Sequence, residues 1–274
     1  MTERIPFVDF GGAGEILHFA HPNAYTPETF HRFLAPLTEH FHVLGIKQRP
    51  LWPNTDPLEL KDWTLFTGDL IRFFDENKMR GVIAVGHSLG AVATMYAAVQ
   101  RPDLFSKLIL IEPVFLPPQV LQMIATMSAE DMKQHPLVQS ALFRRTQWPS
   151  RQEAFDRFRD KPVFARFSDE LLWDYVNYSL GDNADGMVSL LFPSAWEAQI
   201  YSNFPMQVWQ ELPKVTQPLL GIRGVESDTL MPAAWAYWQE LQPKGTYVEI
   251  NDTGHMLTLE RPYAVAEAIL NYLT

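Results

Sequence analysis

The segment Gly86-His87-Ser88-Leu89-Gly90 has the spacing of a sharp turn that presents a nucleophilic serine. A short apolar run, Val82 to Val85, precedes it, and an apolar segment with helical character, Ala91 to Val99, follows it. The flanking glycines lack Cβ atoms and allow a tight strand-to-helix turn. Ser88 then lies at a helix N-terminus, where backbone N–H groups favour developing negative charge. The pattern predicts that Ser88 is the nucleophile of an acyl-transfer reaction.

A serine hydroxyl is a weak nucleophile at neutral pH and needs a neighbouring base. The chain has eight histidines, and His255 is the best placed of them. It lies in a polar turn between the last predicted strand and the last predicted helix. His87 lies inside the serine turn and is predicted to point away from the hydroxyl. We therefore predict that His255 is the base.

The base needs an acid that fixes its tautomer and stabilises the imidazolium ion. The chain order serine, acid, histidine admits three carboxylates, and Asp228, in the loop after the predicted strand Leu219 to Ile222, is the preferred candidate. Glu226 in the same loop is an alternative. Glu112, at the end of the predicted strand Leu108 to Ile111, is a second alternative.

Short apolar runs alternate with segments of helical periodicity, which predicts a mostly parallel sheet covered by helices on both faces. The predicted strands are Ile16 to Ala20, Val43 to Ile46, Val82 to Val85, Leu108 to Ile111, Leu219 to Ile222 and Thr246 to Ile250. The predicted helices of this part are Pro27 to Glu39, Leu58 to Phe74, Ala91 to Val99, Ala233 to Leu241 and Pro262 to Leu273.

The alternation stops at Pro113 and returns at Leu219. The intervening pattern is mostly helical, with the clearest helices at Gln119 to Met132 and Asp169 to Tyr178. We predict an α/β core of residues 1–113 and 218–274, interrupted by a helical insertion of residues 114–217.

The composition excludes several classes of protein. The 274 residues include 32 acidic and 22 basic side chains, a formal net charge of −10, which argues against nucleic acid as a partner. The absence of cysteine excludes disulfides, Cys-ligated metals and a thiol nucleophile. No metal-binding motif is visible. Gly11 to Gly14 lacks the spacing of a phosphate-binding loop and is predicted to be a hairpin turn.

Neither a signal-peptide pattern nor an apolar run long enough to span a membrane is present, so the prediction is a soluble, cytoplasmic protein with no membrane partner. The oligomeric state is left open. Charge is segregated, with eight basic and three acidic residues in 133–166 and five acidic and no basic residues in 167–185. This pattern favours solvated helix faces. The alternative is that Arg144 and Arg145 bind an anionic substrate.

The chain resembles the α/β-hydrolase superfamily along nearly its whole length. The matching segments, in order, are FAHPNAY (19–25), VGHSLGA (85–91), RPDLFSKLILIEP (101–113), IRGVESDTLMP (222–232) and GHMLTLERP (254–262). The resemblance implies that residues 114–217 form a cap over the site. It implies an oxyanion hole made by the backbone amides of Asn23 and Leu89, with Pro22 where the family usually has glycine. Some relatives place the acid at the position of Glu112.

Together these features predict a serine hydrolase that cleaves small to medium carboxylic esters through an acyl-enzyme, with a small ester-type molecule as its partner and no cofactor. A lactonase, a thioesterase or a carbon–carbon bond hydrolase would use the same residues. Ser88, where related dehalogenases and epoxide hydrolases have aspartate, argues against those two activities. A small-molecule binding protein with little turnover is the alternative from another class.

Overall fold

A computed structural model describes residues 4–274 of the protein. A seven-stranded sheet in the order β1-β3-β2-β4-β5-β9-β10 lies at its centre, and a separate three-stranded sheet has the order β6-β8-β7. The strands are β1 (Phe7–Gly11), β2 (Ile16–Ala20), β3 (His42–Ile46), β4 (Val82–His87), β5 (Phe105–Ile111), β6 (Gln147–Trp148), β7 (Leu180–Asp182), β8 (Val188–Leu190), β9 (Leu219–Gly224) and β10 (Thr246–Ile250).

Helices pack around the central sheet and also make up most of the segment between β5 and β9. The α-helices are α1 (His31–Thr38), α2 (Thr64–Glu76), α3 (Leu89–Gln100), α4 (Pro118–Ala125), α5 (Ala129–Lys133), α6 (Pro136–Phe143), α7 (Arg151–Arg159), α8 (Asp169–Ser179), α9 (Ser194–Tyr201), α10 (Val208–Glu211), α11 (Pro232–Leu241), α12 (Leu257–Glu260) and α13 (Pro262–Leu273). Short 3₁₀ turns are Pro27–Phe30, Arg49–Leu51, Pro57–Glu59, Pro102–Leu104, Pro162–Phe164 and Leu212–Lys214.

The inner strands are apolar along their length because both faces of the sheet are covered. All six residues of β4 are buried, as are all six of β9. In the central sheet, strands β2, β3, β4, β5, β9 and β10 run parallel to one another, and β1 at the edge pairs antiparallel with β3. The predicted α/β fold with a mostly parallel sheet is therefore confirmed.

The first strand was missed, and the predicted hairpin at Gly11 to Gly14 is wrong. Strand β1 pairs with β3, with Phe7 opposite Ile46, and it does not pair with β2, which follows it in the chain. The segment therefore crosses from one side of β3 to the other. Gly12 permits this crossing, since a Cβ atom there would lie 1.9 Å from the Phe41 carbonyl oxygen.

The segment between β5 and β9 is not purely helical. It contains α4 to α10 and the three short antiparallel strands β6, β7 and β8. Those strands are only two or three residues long, which is too short for a period-2 hydrophobic pattern to be recognised in the sequence. The predicted helix at 119–132 is two helices, because Ser128 caps the start of α5 through a capping box with Asp131. The division at 113 and 218 stays a prediction.

Within residues 4–274, no helix is long and apolar enough to cross a membrane. In the same residues no group of three or more His, Asp and Glu side chains is placed to hold a metal ion.

Candidate active site

Ser88 occupies the turn between β4 and α3 in a strained backbone conformation. Its φ is 56° and its ψ is −118°, a region that residues other than glycine rarely adopt. The turn is tight because Gly86 and Gly90 have no side chains. A Cβ atom on Gly86 would lie 2.5 Å from the Ala91 Cα atom, and one on Gly90 would lie 2.1 Å from the Ala20 carbonyl oxygen.

We expect Gly90→Ala to lower the free energy of unfolding by about 1–3 kcal/mol, because the new methyl group would overlap the backbone at the end of β2. Urea unfolding measures the change. Gly68→Ala is the matched control, since a Cβ atom on Gly68 in α2 meets nothing within 4 Å. That control should gain about 0.5–1 kcal/mol. Equal stability of the two variants would contradict the close approach seen at Gly90.

The Ser88 hydroxyl is hydrogen-bonded to an imidazole, which is in turn hydrogen-bonded to a carboxylate. Ser88 Oγ lies 2.9 Å from His255 Nε2. His255 Nδ1 lies 3.1 Å from Glu112 Oε2. With Nδ1–H donating to the carboxylate, Nε2 is left to accept the Ser88 proton. This arrangement has the connectivity of a nucleophile, a base and an orienting acid.

Glu112 is completely buried at the end of β5, and protein donors satisfy its carboxylate. The Gly224 backbone N–H donates to Oε1 at 2.7 Å, and the Ser227 hydroxyl donates to Oε2 at 2.6 Å. Glu112 has a φ of 45°, a second strained residue within the site. These donors hold the carboxylate in place beside His255.

The preference for Asp228 as the acid has to be corrected. Asp228 is exposed, and its Oδ1 accepts a hydrogen bond from the Thr229 hydroxyl at 3.3 Å. The neighbouring Ser227, which is buried, is the residue of this loop that turns toward β5. Glu226 is exposed and forms an ion pair with Arg166. Of the three carboxylates weighed from the sequence, the structure brings Glu112 to His255.

Leu89 and Asn23 are the two residues whose backbone amides are expected to form an oxyanion hole. Leu89 is the first residue of α3. The loop that carries Asn23 leaves β2 where the carbonyl oxygens of Ala20 and His21 approach Gly90. Within residues 4–274, neither backbone N–H has a hydrogen-bond acceptor. Both amides are therefore free to donate to a ligand oxygen.

The proline that departs from the family pattern is held by a buried histidine. His21 Nδ1 donates to the Pro22 carbonyl oxygen at 2.8 Å, and His21 Nε2 accepts from the Gln48 backbone N–H at 3.1 Å. Burial lowers the pKa of His21 to about 4, so the ring is neutral and can make both bonds. No local sequence pattern indicates this contact, because Gln48 follows a different strand.

His87 fixes the loop that carries the base. Its Nε2 donates to the His255 carbonyl oxygen at 2.9 Å, and its Nδ1 accepts from the Thr258 hydroxyl at 3.0 Å. Burial, reinforced by the nearby His255, lowers the pKa of His87 well below its ordinary value. His87 is therefore neutral, which both hydrogen bonds require. The Gly86–Gly90 motif, when it is interpreted only as the position of a nucleophilic serine, does not indicate that His87 positions the His255 loop.

A cavity of about 710 Å³ opens beside His255. It is lined by residues of the central-sheet part and by residues of the segment between β5 and β9. Its aromatic lining residues are Tyr25, Phe143, Trp148, Phe158, Phe164, Tyr175 and Tyr201. Its charged lining residues, apart from His255, are Arg144, Arg145, Arg157, Lys161, Glu197 and Asp228.

A family model described as "Alpha/beta hydrolase family" matches residues 19–268 of the chain. With a match of that length, and with the fold and the Ser88–His255–Glu112 arrangement in place, the chain belongs to the alpha/beta hydrolase family and is a hydrolase.

Curated relatives include 2-(acetamidomethylene)succinate hydrolase of Mesorhizobium japonicum, which is 26% identical over 266 residues, 96% of this chain and 89% of that protein. Another is the abhydrolase domain-containing protein AKT2 of Alternaria alternata, 26% identical over 228 residues, 70% of this chain and 82% of that protein. Among solved structures, E-2-(acetamidomethylene)succinate hydrolase matches with a TM-score of 0.81 at 20% identity, covering 97% of this chain and 94% of that one. An M. tuberculosis esterase matches with a TM-score of 0.77 at 19% identity, covering 100% and 90%.

Proposed function

We propose that the protein hydrolyses small to medium carboxylic esters through an acyl-enzyme on Ser88. The hydrogen bond of 2.9 Å between Ser88 Oγ and His255 Nε2 is the observation that carries the proposal. His255 takes the hydroxyl proton as Ser88 attacks the ester carbonyl, and it then donates that proton to the departing alcohol. Glu112 stabilises the imidazolium ion that forms between the two transfers.

The oxyanion of the tetrahedral intermediate accepts hydrogen bonds from the backbone N–H groups of Leu89 and Asn23. Each such donor contributes roughly 3–4 kcal/mol to transition-state stabilisation in comparable enzymes. Backbone donors at a helix N-terminus are already oriented, so no reorganisation is needed as charge develops.

The second half of the reaction uses the same groups. Water enters beside His255, gives a proton to Nε2 and attacks the acyl carbonyl, and His255 returns the proton to Ser88 as the acid product leaves. In both halves of the reaction, each proton moves between Ser88, His255, the alcohol and water. The reaction is therefore complete without a cofactor. The insertion forms a cap in this proposal, because residues 137–201 supply most of the cavity lining beside His255.

Labelling with a fluorophosphonate tests the proposal without knowledge of the natural substrate. We expect one label per chain, located on Ser88 by peptide mapping, because the probe reacts with activated serines. His255→Ala should abolish the label. His135→Ala should leave it intact, because His135 is the N-cap residue of α6 and is not part of the Ser88–His255–Glu112 arrangement. A folded wild-type protein that takes no label, or takes it elsewhere, would refute an activated Ser88.

A further inference from the structure

The cavity beside His255 is basic in a protein that is acidic. Four lining residues are Arg or Lys and two are Asp or Glu, whereas the whole chain has a net charge of −10. Arg157 and Lys161 make no ion pair within residues 4–274. Cations gathered in a concave, largely apolar site raise the local concentration of anions.

Arg144 is the cavity cation whose buried nitrogens lack an acceptor within residues 4–274. It follows α6, and its Nη1 lies 2.6 Å from Oε2 of the buried Glu197 on α9. Its Nε and Nη2 are buried and have no acceptor among residues 4–274. A buried guanidinium N–H without a partner is energetically costly. The Nε and Nη2 groups of Arg144 therefore need an acceptor, and the described residues supply none.

The same pair of nitrogens binds a carboxylate elsewhere in this protein. Arg49 donates through Nε to Asp69 Oδ2 at 2.8 Å and through Nη2 to Asp69 Oδ1 at 2.5 Å. The Nε–H and an Nη2–H point in parallel from one edge of the guanidinium and match the two oxygens of a carboxylate. The unused edge of Arg144 therefore has the geometry of a carboxylate receptor.

The surroundings of Arg144 strengthen such a contact. Tyr25, Tyr175 and Tyr201 line the same cavity, and burial raises the pKa of each, so their hydroxyls remain protonated donors. Trp148 and Phe158 contribute apolar walls that lower the local dielectric constant. The neighbouring Arg145 is already occupied, because it donates to Glu153 at 2.7 Å and to the Gln147 carbonyl at 2.7 Å.

We propose that Arg144 is the residue that selects the substrate, by binding a carboxylate that the substrate carries in addition to its scissile ester. Glu197 holds the guanidinium from the other side. A single carboxylate suits the site better than a phosphate, because a second negative charge would be repelled by Glu197. This inference deepens the proposed function, since it assigns the substrate class of the same site.

Matched esters test the inference. The 4-nitrophenyl monoesters of glutarate and adipate carry a terminal carboxylate, and the 5-methylhexanoate and 6-methylheptanoate esters are their neutral counterparts of similar shape. We expect Arg144→Met to lower kcat/KM for the carboxylate esters about 10- to 100-fold. The alternative readout is the affinity for free glutarate and adipate, measured by calorimetry, which should fall by the same factor. Hydrolysis of the neutral esters should stay within about threefold of wild type.

Two further variants separate recognition from structure. Glu197→Gln removes a negative charge beside the bound anion and keeps the side-chain shape, so it should raise, not lower, the preference for the carboxylate esters. Arg145→Met removes a cavity cation that is already paired and should leave the preference unchanged. If Arg144→Met changes neither carboxylate ester turnover nor dicarboxylate binding relative to these controls, the inference is overturned. Failure of the proposed function looks different, since then neutral esters are not hydrolysed and Ser88 takes no label, while the calorimetric binding still decides the role of Arg144.

Discussion

Replacing Ser88 by alanine is expected to lower kcat for ester hydrolysis by about 10⁶-fold, because the acyl-enzyme can no longer form. The backbone turn should survive, since Ala91 N and Val92 N bond to the carbonyl of residue 88, a group that the substitution does not alter. Steady-state kinetics on a 4-nitrophenyl ester measures the loss, and near-wild-type circular dichroism confirms the fold. Activity within tenfold of wild type would place the nucleophile elsewhere.

A glycine at the same position separates the strain from the chemistry. The φ of 56° and ψ of −118° at Ser88 cost of order 1–3 kcal/mol for a residue with a Cβ atom. Ser88→Gly should therefore be as inactive as Ser88→Ala and yet more stable in urea unfolding than either serine or alanine. If glycine brings no gain in stability over alanine, the strain inferred at this turn is absent.

Replacing Glu112 by glutamine is expected to lower kcat by about 10⁴-fold, because an amide cannot stabilise the His255 imidazolium and favours the wrong tautomer. Asp228→Asn is the matched control, the same change of acid to amide at the residue that the sequence alone favoured. It should alter kcat by no more than about twofold, as expected for an exposed side chain that does not contact His255.

Three measurements make this comparison decisive. Steady-state kinetics of both variants, with fluorophosphonate labelling rates beside them, reports the activation of Ser88. Thermal unfolding checks that Glu112→Gln still folds. The check is needed because the carboxylate accepts hydrogen bonds from Gly224 and Ser227 on its two oxygens, whereas an amide has one oxygen. The assignment of Glu112 fails if Asp228→Asn loses as much activity as Glu112→Gln.

Much of the central sheet could be predicted from short apolar runs. The strand at 246–250 and the helix at 262–273 have the bounds that the pattern indicated. Strand β1 was missed because its partly exposed residues mix apolar and charged side chains, and its partner β3 lies more than 30 residues away. The small sheet of β6, β7 and β8 was missed because its strands depend on tertiary contacts rather than on local pattern.

For the candidate site, the sequence by itself indicated Ser88 and His255, whose side chains the structure brings within 2.9 Å of each other. Ser88 is marked by a local strand–turn–helix pattern in which two glycines must tolerate close backbone approach, and His255 lies in the one polar turn that follows the last strand. Both signals are local. Only the tertiary structure decided which carboxylate contacts His255, because three carboxylates follow strands that end at the same edge of the sheet. The choice depends on side-chain direction. Glu112, at a φ of 45°, turns inward to the donors of Gly224 and Ser227, while Asp228 is exposed and accepts its hydrogen bond from Thr229.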